Sequence, residues 1–473
     1  MNSPSFILLP EEPRTRARGK LLNLVVAAFA LAALACLGTW LFGQDSTGRT
    51  GTNRHVLVIS VDGMGADFYA QTASKARVPN LARLRAEGSS AEAVEGVYPS
   101  VTYPSHTTIV TGRSPAEHGI YSNVSVRDPG KRQAEWFWYA KDIQAPALWD
   151  ETRRAHLTSA AVSWPVTVGA AIDWNVPEIW DPGKGEELDL QFLAQHSTPG
   201  LILEAAQALG PMPAGTDNDV IRTRFAAYLL KKYRPNLVLV HLANLDHEEH
   251  EHGPASPQAT KALEESDAHI GELLKALQEA GMAGSTMVFI ISDHGFLPID
   301  HDIRPNVLLV KAGLLSADST GQLTGGKIAT LSNGGSFFIY WSDTENLRGE
   351  VQTALKPLID QGVLWAEFDR AALQDLGAEP AAKLALDAPK GYAFSGRAVG
   401  EVVGARKSAG GTHGYLPYRS GLEASFIAWG PGIRRGVNLH RIRMTSEGST
   451  ILKALGVSDP KFGDQPPLAE IFK

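Results

Sequence analysis

The densest concentration of reactive side chains is Tyr98-Pro99-Ser100-Val101-Thr102-Tyr103-Pro104-Ser105-His106, which runs into Thr107-Thr108-Ile109-Val110-Thr111-Gly112. A hydroxyl at the entrance to a helix sits beside backbone N–H groups that favour an anion. A free threonine hydroxyl is a poor nucleophile, and coordination to a metal activates it. On spacing alone Ser100, Thr102, Ser105 and Thr107 compete for that role, and a simple helix cap is the competing structural explanation for Thr102. Acids and histidines recur elsewhere: Asp62-Gly63, Asp246-His247-Glu248-Glu249-His250, Asp293-His294, and His413 within Gly411-Thr412-His413-Gly414-Tyr415. Asp246 and His250 are four apart, so one helical turn would place them on one face; a loop would serve equally. His247, Glu248, Glu249, Glu251 and His252 cannot all be ligands, and most of them read as a solvated acidic rim. The single cysteine, Cys36, excludes an intrachain disulfide and a thiolate zinc site. Any metal is therefore held by histidines and carboxylates, a donor set that suits zinc and admits other divalent ions.

These residues need a scaffold that delivers them to one place. Residues 56–61, 237–241 and 287–291 are continuous apolar runs rich in branched side chains, the pattern of strands buried on both faces. A helical stretch over 258–280 carries Leu263, Ile270, Leu274 and Leu277 on one face. Strands alternating with helices predict an α/β fold with a mostly parallel central sheet flanked by helices. Asp62, Asp246 and the pair Asp293-His294 each follow one of the three runs, and ligands of open α/β sheets bind beyond the carboxyl ends of the strands. A different texture over about 325–395, with one short strand-like run at 336–341, predicts a small α+β lobe inserted before the last part of the domain.

Residues 1–20 are basic near their end, with Arg14, Arg16, Arg18 and Lys20, and residues 21–43 are almost wholly apolar. That length suffices to cross a bilayer core of roughly 30 Å. The charge bias keeps residues 1–20 cytoplasmic and puts the remainder on the periplasmic or extracellular side. The expectation is a transmembrane signal anchor over 21–43, a polar tether over 44–54 and a catalytic domain over 55–473. Ala33-Leu34-Ala35 followed by Cys36 offers cleavage or lipidation as the rival, and every version exports the domain. The net charge of −7 argues against a partner such as a nucleic-acid duplex, which requires a basic face. A small phosphoester remains compatible, because bound cations reverse the local sign.

Taken in order, the motifs resemble those of the nucleotide pyrophosphatase/phosphodiesterase family of the alkaline phosphatase superfamily: Val-Asp-Gly at 61–63, Thr-Tyr-Pro-Ser-His at 102–106 with Val-Thr-Gly at 110–112, Glu-His-Gly-Ile at 117–120, Asp-x-x-x-His at 246–250 with His-Gly-Pro at 252–254, Ser-Asp-His-Gly at 292–295 and Gly-Thr-His-Gly-Tyr at 411–415. The resemblance covers essentially everything from His55 onward. It implies two zinc ions, one on Asp246, His250 and His413, the other on Asp62, Asp293 and His294. It also implies Thr102 as the nucleophile, reaching toward the second of these ions and forming a phospho-threonine, and Asn123 as a residue that binds a non-bridging phosphoryl oxygen. Ser105 departs from the asparagine that members often carry there, and no role is assigned to it.

Thr102 and His106 stand where sulfatases need an oxidisable Cys or Ser and an Arg, so sulfate ester chemistry is not expected. Phosphodiester or nucleotide pyrophosphate hydrolysis is the expected reaction. Monoester hydrolysis is the alternative, and a membrane-tethered binding protein without catalysis is a third. A monoester carries about one more negative charge near neutrality; Lys141 and Lys184 are the cations available for it, neither in a distinctive context. Trp136-Phe137-Trp138-Tyr139 and Trp164-Pro165 are candidates to line a space for the second substituent of a diester, with core packing as the alternative. Oligomeric state has no sequence signature here.

Overall fold

The computed structural model describes residues 54–72, 75–126, 135–184, 189–211 and 218–473. The expected anchor over 21–43 and the tether up to residue 53 lie outside them. Among the described residues no helix is long and apolar enough to cross a membrane.

The central layer is an eight-stranded sheet: β1 (His55–Val61), β2 (Ser89–Glu95), β3 (Ser159–Val162), β4 (Trp174–Val176), β5 (Leu237–Leu242), β6 (Thr286–Ile291), β7 (Phe426–Trp429) and β8 (Val437–Arg443), in the order β8-β2-β7-β6-β1-β5-β3-β4. Neighbours are parallel except where β7 pairs antiparallel with both β6 and β2. The three apolar runs recognised in the sequence are the adjacent strands β6, β1 and β5, each buried along its whole length. Such strands need cover on both faces, and apolar clusters line the two sides.

Five helices matter for the site: α1 (Thr102–Thr111), α2 (Asn218–Tyr233), α3 (Asn244–His252), α4 (Pro257–Glu279) and α5 (Glu447–Leu455). The α4 helix starts at Ser256, whose side chain accepts a hydrogen bond from the Ala259 N–H, with Pro257 following it, the expected start signals. Leu263, Ile270, Leu274 and Leu277 are buried, and α4 packs against α2 and α3. The α1 helix ends at Gly112 in the left-handed region, φ 66°.

The chain between β6 and β7 builds the smaller parts. A four-stranded antiparallel sheet takes Ala329–Ser332, Ser336–Tyr340, Leu384–Asp387 and Ala366–Asp369 in that spatial order. With the helix Arg348–Asp360 it encloses a separate apolar cluster that includes Phe337, Ile339, Leu355 and Leu384. This is the small lobe expected within 325–395. A three-stranded sheet pairs Leu297–Ile303 antiparallel with Val403–Thr412. That pairing has a functional consequence: Thr412 lies opposite Leu297, so the residue after one strand is brought back beside the residues before the other.

Candidate active site

Asp62 follows β1, while Asp293 and His294 follow β6. Because β1 and β6 are adjacent and parallel, the three side chains meet at one sheet edge. Asp62 Oδ1 lies 3.4 Å from His294 Nε2, and Asp293 Oδ2 lies 3.1 Å from the same nitrogen. All three residues are buried. The third strand, β5, leads into α3, whose helical turn places Asp246 and His250 on one face. The antiparallel return of Val403–Thr412 adds His413. Its Nε2 is 3.1 Å from His250 Nε2 and 3.7 Å from Asp246 Oδ1. The two triads adjoin, with the His294 and His413 rings stacked at 3.7 Å between centroids.

Both triads have the donor chemistry of cation sites. His250 Nδ1 faces the Gly411 carbonyl at 3.2 Å, and His413 Nδ1 faces the Ser100 carbonyl at 3.0 Å. A carbonyl only accepts, so in the neutral rings both Nδ1 atoms carry the hydrogen and donate it. The two Nε2 lone pairs then point at each other, beside a carboxylate, an arrangement that repels unless a cation sits among them. Asp62 Oδ1, Asp246 Oδ1 and Asp293 Oδ2 have no hydrogen-bond partner among the described residues although all three atoms are buried, and buried polar atoms are normally satisfied. Without a cation, burial first, and then the neighbouring carboxylates, hold Asp62 and Asp293 well above the usual carboxylate range. Burial first, then His250, lowers His413 to about 4, and burial with the neighbouring histidines holds His294 well below its ordinary value. Neutral imidazoles and crowded carboxylates are what a divalent ion requires.

The four competing hydroxyls are separated by their surroundings. Ser100 Oγ donates to the Tyr415 carbonyl at 2.9 Å, which ties the His413 loop to the start of α1. Thr107 Oγ1 donates back to the Tyr103 carbonyl within α1. Ser105 is fully buried away from the cleft. Thr102 is the first residue of α1 rather than its cap, a place taken by Val101, and its Oγ1 lies 3.5 Å from His294 Nε2. Asn123 Oδ1 accepts the Tyr103 N–H at 2.9 Å, which makes the amide nitrogen the donor end of that side chain.

Two glycines are required by close approach. Gly63 adopts φ 75°, and a Cβ there would lie 2.7 Å from Glu249 Oε2. Gly414 adopts φ 88°, and its Cβ would lie 1.7 Å from the Asn333 carbonyl, the lobe hairpin pressing on the His413 loop.

Thr102 and Asn123 open onto a cleft of about 290 Å³, whose walls include Tyr103, Trp136, Trp180, Arg222 and Phe225. The Trp136 and Trp180 rings meet edge to face at 4.6 Å, and Tyr103 lies 5.4 Å from Trp136. Several sequence expectations need correction here. Trp164 is fully buried and packs edge-on against His106 at 5.0 Å, so it belongs to the core. Trp138 packs behind Trp180 at 5.6 Å, and only Trp136 of the 136–139 stretch lines the cleft. Lys141 lies over the Tyr139 ring and Lys184 pairs with Asp189, and neither borders the cleft. Glu249 does not belong to a solvated rim: it is fully buried, and burial first, then Asp246, Asp62 and Asp293, push its carboxyl far up. Its helical spacing already held the signal, since positions 246, 249 and 250 share a face.

Sequence reasoning missed the residues behind the two clusters. His106 Nδ1 faces the Thr102 carbonyl at 2.8 Å and its Nε2 faces Ser60 Oγ at 2.9 Å, fixing the start of α1 to β1. Asp219 accepts from the Ala243 and Asn244 N–H groups at 3.0 and 2.9 Å, and Arg222 pairs with it at 2.7 Å. This clamp holds the start of α3, which carries Asp246 and His250.

A large central sheet flanked by helices, with two His/Asp clusters gathered near the ends of its strands and the Thr102 hydroxyl beside one of them, is an alkaline phosphatase-like fold. The chain belongs to the type I phosphodiesterase / nucleotide pyrophosphatase family, whose pattern matches residues 56–416. It is similar to mouse ectonucleotide pyrophosphatase/phosphodiesterase family member 1, 24% identical over 439 residues, 88% of this chain and 42% of that protein. It is also similar to an uncharacterised pyrophosphatase/phosphodiesterase of Schizosaccharomyces pombe, 26% identical over 289 residues, 58% of this chain and 52% of that one. The chain thus spans about half the length, or less, of these curated relatives. Among solved structures, human ectonucleotide pyrophosphatase/phosphodiesterase 5 has the same fold, with TM-score 0.63 and 19% identity over 87% of this chain and 97% of that one. The murine counterpart, an inactive variant in complex with AMP, gives TM-score 0.64 and 18% identity over 89% and 100%.

Proposed function

We propose that this protein hydrolyses phosphodiester or nucleotide pyrophosphate bonds through a covalent phospho-threonine on Thr102, with two zinc ions held by Asp62, Asp293 and His294 and by Asp246, His250 and His413. The observation that carries the reading is the meeting of three buried, unpartnered carboxylate oxygens and two facing imidazole nitrogens beside Thr102. When bound, the ions supply Lewis-acid activation of the hydroxyl and neutralise charge on the phosphoryl group. Thr102 Oγ1 gives its proton to solvent and attacks phosphorus; the bond to the leaving alcohol or phosphate breaks, and that group takes a proton from solvent. Water then attacks the phospho-threonine, the bond from phosphorus to Thr102 Oγ1 breaks, the phosphoryl product leaves, and a proton from the water restores the hydroxyl. Asn123 donates from its amide nitrogen to a phosphoryl oxygen, a donor fixed in place before charge develops. Tyr103, Trp136 and Trp180 receive the second substituent, and a nucleoside is one group that suits an aromatic wall.

A monoester needs a further cation. Arg222 is the one Lys or Arg side chain among the described residues lining the cleft, and it is already engaged by Asp219 at 2.7 Å. Diesters are therefore favoured. Residues 21–43 anchor the chain, with the catalytic domain on the periplasmic or extracellular side; carbonate washing of membranes tests this, and release into the wash contradicts it. The substrate assignment is tested by comparing aryl diester, aryl monoester, dinucleotide and lipid-like phosphodiester turnover. Diester efficiency should exceed monoester efficiency; the reverse would promote the monoesterase.

A further inference from the structure

We infer that His241 is a positioning residue that decides which oxygen of Asp62 faces the cation site. His241 lies in β5, next to β1, paired in register with Ser60, and is buried. Its Nε2 faces Asp62 Oδ2 at 2.9 Å. That contact occupies one carboxylate oxygen and leaves Oδ1, the atom 3.4 Å from His294 Nε2, without a partner. The other ring nitrogen is held equally firmly: Nδ1 faces Glu178 Oε2 at 2.7 Å and the Ser163 carbonyl at 3.1 Å. Ser163 reaches it from a turn in the left-handed region, φ 53°, a conformation that costs energy for a residue with a Cβ. The same Ser163 accepts from Arg222 Nε through its hydroxyl at 3.1 Å. The ring of His241 is thus fixed from three sides, and Asp62 is fixed by the ring.

Glu178 and Arg222 also line the substrate cleft. The series Asp62–His241–Glu178 therefore runs from the buried triad to the cleft wall that carries Trp180. In the second triad, among the described residues, the Nδ1 atoms of His250 and His413 face backbone carbonyls instead. Groups that orient a ligating residue change metal affinity by about 10–100-fold when removed, without touching the metal or the substrate.

The inference rests on the two-cation reading, and the test separates the two. Metal-free full-length protein is titrated with zinc, and binding is followed by calorimetry. Wild type should show two sites; fewer would remove the reading and the inference together. With two sites in wild type, His241→Ala should weaken one of them about 10–100-fold and leave the other unchanged. His241→Gln, which keeps a donor for Asp62, should recover part of the loss. Glu178→Gln should weaken the same site by less, and it carries the test if His241→Ala does not fold. Two wild-type affinities in both Glu178→Gln and a folded His241 variant would overturn the inference.

Discussion

The cluster of Asp62, Asp293 and His294 is fixed to two central parallel strands and almost wholly buried, with only Asp62 reaching the cleft wall, whereas Asp246, His250 and His413 are gathered from a helix and from the end of a strand in a separate sheet. The Asp246 and His250 side chains keep 19% and 38% exposure, while Asp293 and His294 have none. Carboxylates in the closed cluster are held by His241 and by the Gly63 N–H at 3.2 Å to Asp293. The open cluster relies on the Asp219 clamp at the start of α3 and on the Gly411 and Ser100 carbonyls. One site is therefore built into the core, and it keeps its shape at the cost of buried like charges. The other faces the cleft and is partly exposed to solvent. Thr102 lies against His294, so under the proposed function the attacking hydroxyl is aligned by the buried cluster and the more exposed one is left to meet the rest of the substrate.

The largest effect should come from Thr102, the proposed nucleophile beside the buried cluster. Thr102→Ala should lower aryl diester turnover by roughly 10⁴-fold or more, the scale of losing a covalent nucleophile, with metal content retained. Near-wild-type rates in this variant, combined with loss in Ser105→Ala, would reassign the nucleophile. Asp293→Asn should lower turnover strongly and yet raise the melting temperature of metal-free protein, because it removes one of several mutually repelling buried carboxylates. A fall in that melting temperature would show that the closed cluster is not strained without its ion.

The open cluster gives a pH signature. His413 has a pKa of about 4 in the fold, with burial the main cause, against about 6.5 when unfolded. Between these values the unfolded chain binds the extra proton, so metal-free protein loses stability as pH falls from about 6.5 towards 4. His413→Gln should flatten that part of the profile by no more than about 3 kcal/mol, read from urea melts at several pH values. An unchanged slope would mean that His413 is not buried as described. The smallest effect is expected at the wall: Trp180→Ala should raise KM for an aryl diester about 10-fold, roughly the worth of one aromatic contact, and leave aryl monoesters nearly unaffected. Equal losses for both would place Trp180 outside the subsite for the second substituent.

The two His/Asp clusters were legible because each member follows, or lies just beyond, an apolar run or sits between glycines, and β-strand ends at a parallel-sheet edge are where such residues converge. The fold was legible for the same reason: runs at 56–61, 237–241 and 287–291 have no alternative to burial in a sheet. Their support was not. His241 reads as one polar residue at the end of a strand, Glu178 lies in a loop 63 residues away, and no linear spacing joins them. Trp180 and Arg222 reach the cleft from different segments, and Trp164 was misplaced because sequence does not say which face of a turn an indole takes. Glu249 was hidden by its own company, since a buried acid among exposed acids looks like one more of them.

Metal content tests the central claim most directly. Protein purified without added chelator or metal should contain two zinc equivalents per chain by mass spectrometry, falling to one in both His413→Ala and His294→Ala. A single equivalent in the wild type, left unchanged by His413→Ala, would contradict the two-cluster site.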